Sequence, residues 1–129
     1  MAQRILADLA LPDAELSVLL VDDVQIQELN QRYLRRDKPT NVLAFPMREG
    51  EFSSLHPNLL GDLAISVETA RRQSNRFGLG EMEMVILLMI HGILHLLGYE
   101  HEGTQKGARE MTAKQKELFQ QVAKTRLQE

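Results

Sequence analysis

Hydrophobic and polar positions change their period several times along the chain, and each change marks an element. Ile5, Leu6 and Leu9 share one face of a short helix over residues 3–9, with Arg4 and Asp8 elsewhere. Pro12-Asp13 punctuates it. Glu15 to Val21 carries the unbroken apolar run Val18-Leu19-Leu20-Val21, which predicts a strand buried on both faces. Asp22-Asp23 then offers a helix N-cap, and Ile26, Leu29, Tyr33 and Leu34 mark one face of a helix to about residue 34. Pro39 stops any helix in the polar connection 35–41. Asn41 to Phe45 reads as a short strand closed by Pro46, and Arg48 to Asn58 as a loop. From Gly61 to Val67, Leu63, Ile65 and Val67 alternate with Asp62, Ala64 and Ser66. That alternation predicts a strand with one face on the core and the other less deeply buried.

The second half is helical. A helix starts at Ser66 or Glu68, runs to about Arg76 and ends at Gly78. Glu81 to Leu97 is apolar nearly all round, which places that helix in the middle of the domain. Its Glu81 and Glu83 lie in the first turn, where the helix dipole favours negative charge. A last helix covers roughly Thr104 to Leu127, with Met111, Leu118 and Val122 as its apolar stripe. Helices and strands interleave without a repeat or an interdomain linker, so residues 1–129 read as a single domain of α/β or α+β type: a small sheet covered by helices.

Composition adds exclusions. The chain is 43% hydrophobic and 26% charged, an ordinary globular mix. It has no cysteine, which removes disulfides and thiolate metal ligands and suits a reducing compartment. No signal peptide is apparent in Met1 to Leu11, and the apolar run Met84 to Ile90 is too short to span a bilayer. The expectation is a cytoplasmic protein without a membrane partner. A net charge of −3 does not by itself announce nucleic acid. Two basic groups, Arg32-Arg35-Arg36-Lys38 and Arg71-Arg72-Arg76, read in isolation as solvated surface.

The chemistry concentrates in His91 to His101. His91 and His95 are one helical turn apart, so both rings leave one face. Gly98 supplies the left-handed residue that ends a helix, and the reversing chain brings His101 back towards the pair. Three histidines with an open fourth position make a catalytic zinc arrangement. On an apolar helix, His91 and His95 are expected to be buried and to need partners. The spacing is that of H-E-x-x-H-x-x-G-x-x-H zinc peptidases, but Gly92 stands where the peptidase has its glutamate base. Proteolysis is therefore disfavoured. His56 is expected to be exposed rather than a ligand. Met84, Met89 and Met111 read as core, Thr40 and Asn41 as connection chemistry, and Asp62 as a second-tier cleft residue.

His91-Gly92-Ile93-Leu94-His95-Leu96-Leu97-Gly98-Tyr99-Glu100-His101 resembles the H-G-x-x-H-x-x-G-Y-D-H signature of the YbeY family of metal-dependent endoribonucleases. Asp37 to Pro46 resembles that family's D-K-P-T-[DN]-V-L-S-F-P segment, and Leu60 to Ser66 its L-G-D-I-x-I-S strand. The resemblance implies an α+β fold with a small mixed sheet, surrounding helices and one zinc ion on His91, His95 and His101. It implies cleavage of single-stranded RNA in maturation of the small-subunit rRNA 3′ end, with the small ribosomal subunit as partner. Glu100 replaces the family's aspartate. Leu34 replaces the arginine of Tyr-Arg-Gly-Lys, which leaves Arg35 or Arg36 to substitute. Arg35, Arg36 and Glu100 are thus the candidate catalytic residues. The family usually opens with a further strand and a longer helix, so an edge strand is expected to be missing here. Two other readings stay open: a metal-dependent hydrolase of a non-nucleic substrate, and a ribosome assembly factor with a structural metal.

Overall fold

In the computed structural model the described residues are 2–46, 58–99 and 105–128, the last segment with side chains to position 122. Their order is α1 (Ala2–Asp8), β1 (Glu15–Val21), α2 (Asp23–Leu34), β2 (Val42–Pro46), β3 (Leu59–Ser66), α3 (Val67–Phe77), α4 (Glu81–Leu96) and α5 (Gln105–Gln128). The loop expected over residues 48–58 falls almost wholly outside these residues, and His56 with it.

Capping chemistry sets the joints. Asp22 caps α2 in a full capping box: its carboxylate accepts from Gln25 N at 2.8 Å, and Gln25 Oε1 accepts from Asp22 N at 3.0 Å. Ser66 is both the last residue of β3 and the N-cap of α3, accepting from Thr69 N at 3.2 Å. Its own hydroxyl donates to Asp23 Oδ1 at 2.6 Å. Thr69 Oγ1 donates to the same oxygen at 2.7 Å, and Arg72 Nη2 pairs with Asp23 Oδ2 at 2.7 Å. The starts of two helices are thus tied to one carboxylate. The Ser66 hydroxyl first, then Thr69 and Arg72, hold the Asp23 carboxyl well below its ordinary value of 3.8, at about 2. Arg71 pairs with Glu81 at 3.2 Å. Two of the three arginines in the second basic group are therefore engaged with carboxylates.

The sheet is mixed, in the order β1-β3-β2, with β1 parallel and β2 antiparallel to the central β3. One face packs Leu63 and Ile65 against Ile86, Ile90, Ile93 and Leu94 of α4. The other carries Val21, Leu43 and Ala64 under Ile26 of α2. The two strand expectations are reversed here. β1 is at the edge, and Leu19 and Leu20 are each 56% exposed. β3 is at the centre, where α2 covers Ala64 and α4 covers Leu63, so Asp62 is its only exposed residue. Apolar period reports which faces are greasy; strand order decides which are covered.

The α4 expectation holds. Met84, Ile86, Ile90, Ile93 and Leu94 are buried, and Met89 and Met111 are core residues too. The α5 stripe of Met111, Leu118 and Val122 is buried as expected. On α2, Ile26 is fully buried, whereas Tyr33 and Leu34 are 58% and 47% exposed. Tyr33 instead meets the Phe45 ring edge-on, with centroids 5.4 Å apart. Among the described residues no single helix is long and apolar enough to cross a membrane.

Candidate metal centre

The last turns of α4 lie beside β2, an edge strand of the sheet among the described residues. A cleft of ≈ 600 Å³ lies there, and His91, His95, Leu34, Arg36 and Lys38 are among the residues that line it. This position corrects one expectation. His91 is half-buried and His95 exposed, because the cleft opens beside the C-terminal end of an otherwise buried helix. The two rings meet edge-to-face, and their Nε2 atoms are 3.1 Å apart. His91 Nδ1 is 2.9 Å from Gln115 Oε1 on α5. An amide oxygen only accepts, so Nδ1 carries the proton and His91 Nε2 keeps its lone pair.

That spacing is a hydrogen bond between the two rings, and it also suits a pair of zinc ligands. Imidazole nitrogens bind zinc at about 2.0–2.1 Å, and a tetrahedral pair then stands roughly 3.3 Å apart. Neutral ring nitrogens without thiolate are also a donor set zinc accepts. Among the described residues no group of three ligating side chains converges. His101, the expected third ligand, and Glu100 lie outside the described residues.

Helix α4 stops in a Schellman motif. Gly98, at φ +90°, donates N–H to His95 O at 3.0 Å, and Tyr99 donates to Leu94 O at 3.0 Å. The expected glycine stop is therefore present directly after the histidine pair.

Gly92 has a second role that its sequence position did not reveal. A Cβ there would lie 2.7 Å from Leu63 Cδ2 and 3.3 Å from Val42 Cγ2. The residue is buried where α4 crosses the sheet. A side chain at the position of the peptidase base would have to push aside the Leu63 methyls in the core.

The two candidate arginines separate. Arg35 takes the left-handed conformation, φ 58° and ψ 33°, and its N–H caps α2 by donating to Asn30 O and Gln31 O. It does not line the cleft; Arg36 does, with Lys38. Asn30 is only 2% exposed, and its Nδ2 donates to Lys38 O at 3.0 Å, which holds this basic connection in place. Asn41 turns the chain into β2 through its own Oδ1, which accepts from Val42 N at 2.8 Å. That is the connection chemistry expected of it, although both Asn41 and Thr40 also border the cleft. Asp62 does not reach this cleft; it lies by a separate hollow near Leu19 and Tyr33.

Asn30 and Gln115 went unnoticed in the sequence. Each had a signal: a polar residue standing in an apolar helical stripe. Asn30 follows Ile26 by one turn, and Gln115 stands between Met111 and Leu118.

The family model described as endoribonuclease YbeY matches residues 1–123. An endoribonuclease YbeY of Syntrophotalea carbinolica is 54% identical over 94% of this chain and 81% of that protein. The chain belongs to the endoribonuclease YbeY family. A Geobacter metallireducens endoribonuclease YbeY is 46% identical over 92% of this chain and 79% of its own length. A Thermotoga maritima protein solved in solution is similar in fold, with a TM-score of 0.66 at 30% identity, covering 94% of this chain and 78% of that one. YbeY membership places the chain among hydrolases that cut RNA phosphodiester bonds.

Proposed function

We propose that this chain is a zinc-dependent endoribonuclease that cuts single-stranded RNA in the cytoplasm, at the 3′ end of small-subunit rRNA during ribosome maturation. The observation that carries the reading is the His91–His95 Nε2 pair, 3.1 Å apart, in a cleft that Arg36 and Lys38 also line. Ligand nitrogens and phosphate-binding cations lining one cleft suit a phosphodiester. A cleft of ≈ 600 Å³ accommodates a segment of one strand, whereas duplex recognition spans about 16 base pairs of surface.

His91, His95 and His101 would hold the zinc. When bound, it supplies Lewis-acid polarisation and an activated water. The protein supplies position and charge. Arg36 and Lys38 neutralise the strand's phosphates and set its path past the imidazoles. Asn30 holds the connection that bears them. Gly92 moves no proton, so the peptidase assignment of a base to this helix does not apply. Glu100 is the acid assigned to the site by family likeness.

The test is cleavage of single-stranded and duplex RNA by zinc-loaded protein, beside His91→Ala and His95→Ala. Single-strand cleavage falling at least ~100-fold in both variants, with little duplex cleavage throughout, supports the reading. Equal cleavage by all three proteins overturns it. A transcript spanning the small-subunit 3′ end, set against a scrambled strand of equal length, tests the site preference. Elemental analysis identifies the metal.

A further inference from the structure

We propose that Gln115 is a positioning residue of the metal centre. Its side-chain oxygen selects the Nδ1–H tautomer of His91 and aims Nε2, as an acceptor, at the point it shares with His95. The inference rests on the metal reading above and deepens it.

Helix α4 fixes where the His91 side chain starts, but not the rotation of its ring, which is broad for histidine. Packing does not complete the task. A cavity of ≈ 240 Å³ lies beside the ring, bordered also by Phe77, Leu87 and Gln73. Beside its contact with the His95 ring, the ring is held by the 2.9 Å bond to Gln115 Oε1, made across 24 residues of chain. In the opposite tautomer Nε2 would carry a proton where a metal must bind, and the Gln115 amide would have to turn over to offer its NH2 to the Nδ1 lone pair. With its oxygen toward the ring, Gln115 disfavours the tautomer that cannot ligate.

Helix α5 holds Gln115 firmly. Met111, Leu118 and Val122 are 3%, 0% and 1% exposed, and Gln115 occupies the same stripe four residues after the first of them. An apolar residue there would extend the stripe without interruption. Gln115 is half-buried, where a polar group costs free energy unless it is satisfied, and its oxygen's partner is His91. Outer partners of this kind orient histidine ligands and raise their basicity.

The experiment uses the full chain, with zinc alone as the probe. In the metal-free protein at mildly alkaline pH, nitrogen-15 shifts should assign His91 as the Nδ1–H tautomer. Zinc affinity should fall about 10–100-fold in Gln115→Leu. In Gln115→Glu, whose carboxylate also only accepts, it should return to within a few-fold of the parent. Circular dichroism of each metal-free variant checks the fold. An Nε2–H tautomer in the parent, unchanged zinc affinity in Gln115→Leu, or Gln115→Glu as weak as Gln115→Leu each overturns the proposal. Should Gln115→Leu fail to fold, the parent tautomer and Gln115→Glu decide. A parent that binds zinc normally while Gln115→Leu is unaffected removes this inference alone. A parent that binds no zinc removes the metal reading as well.

Discussion

Two polar clusters sit at helix ends of this fold, and they are finished differently. At the starts of α2 and α3, the Asp23 carboxylate receives Ser66, Thr69 and Arg72, with both oxygens engaged. At the end of α4, His91 has one acceptor behind it, and its other nitrogen points at His95 beside an open cleft. The first cluster consumes its own donors and acceptors. The second turns its two Nε2 atoms towards each other, 3.1 Å apart, beside solvent. A closed network fastens two elements together, while an open one leaves valence for something that arrives later. The former is structural, and the latter is the proposed site of chemistry.

The contrast breaks most severely at Gly92, which lets α4 lie close enough to the sheet to present its histidines beside β2. Gly92→Glu would restore the peptidase residue at a buried point where even a Cβ meets Leu63 at 2.7 Å. Overpacking and a buried unpaired charge together should cost about 3–5 kcal/mol. Urea denaturation checks this. A Gly92→Glu protein as stable as the parent would show that the helix–sheet approach is not what excludes an acid there.

Asp23 tests the closed cluster. Asp23→Asn should lower stability by about 1–2 kcal/mol at neutral pH, discounted because the Arg72 partner faces solvent. The folded-state value, about 2, lies below the ordinary 3.8. The carboxylate's contribution is therefore complete above the unfolded value. It is lost as pH falls from about 3.8 through about 2, where parent and variant should converge. Denaturation midpoints across that window measure the convergence, and RNA cleavage per folded molecule at neutral pH should not change. A cleavage defect at constant stability would make Asp23 part of the site and dissolve the contrast between the clusters.

These clusters also show what the sequence made legible. The His91-to-His101 spacing, Gly98 and the Asp37 and Leu60 segments pointed to the family and to the helix end that carries the pair. The element order and the Asp22 cap were readable because local chemistry decides them. Layering was not. Val18 to Val21 looked buried and Gly61 to Val67 half-exposed, yet strand order put the first at the edge and the second at the centre. The burial of His95 was misjudged for a related reason: an apolar helix is buried only as far as other elements cover it. Asn30 and Gln115 act across 8 and 24 residues of chain. Only the interruption of an apolar stripe marked them beforehand.

Arg36 sharpens the open side. If it meets phosphate, Arg36→Ala should weaken RNA binding in a sequence-independent way. For single strands the slope of log affinity against log salt should shrink by about 0.7, one contact's worth. An unchanged slope would remove Arg36 from the strand's path.

Arg35 yields the smallest effect and the cleanest separation. It holds φ 58° at the end of α2, a conformation that costs a residue with a Cβ, where the family pattern Tyr-Arg-Gly-Lys has glycine. Its side chain stays outside the cleft that Arg36 enters. Arg35→Gly should raise stability by roughly 0.5–1 kcal/mol, net of the freedom glycine adds to the unfolded chain. Cleavage and the salt slope should stay as they are. Thermal unfolding and salt-dependent binding measured on one preparation test both halves. A stabilised protein that loses cleavage would exchange the two arginines' roles: the guanidinium that matters would be the one at the helix end, and α2 would bear strain at position 35 for the sake of the reaction.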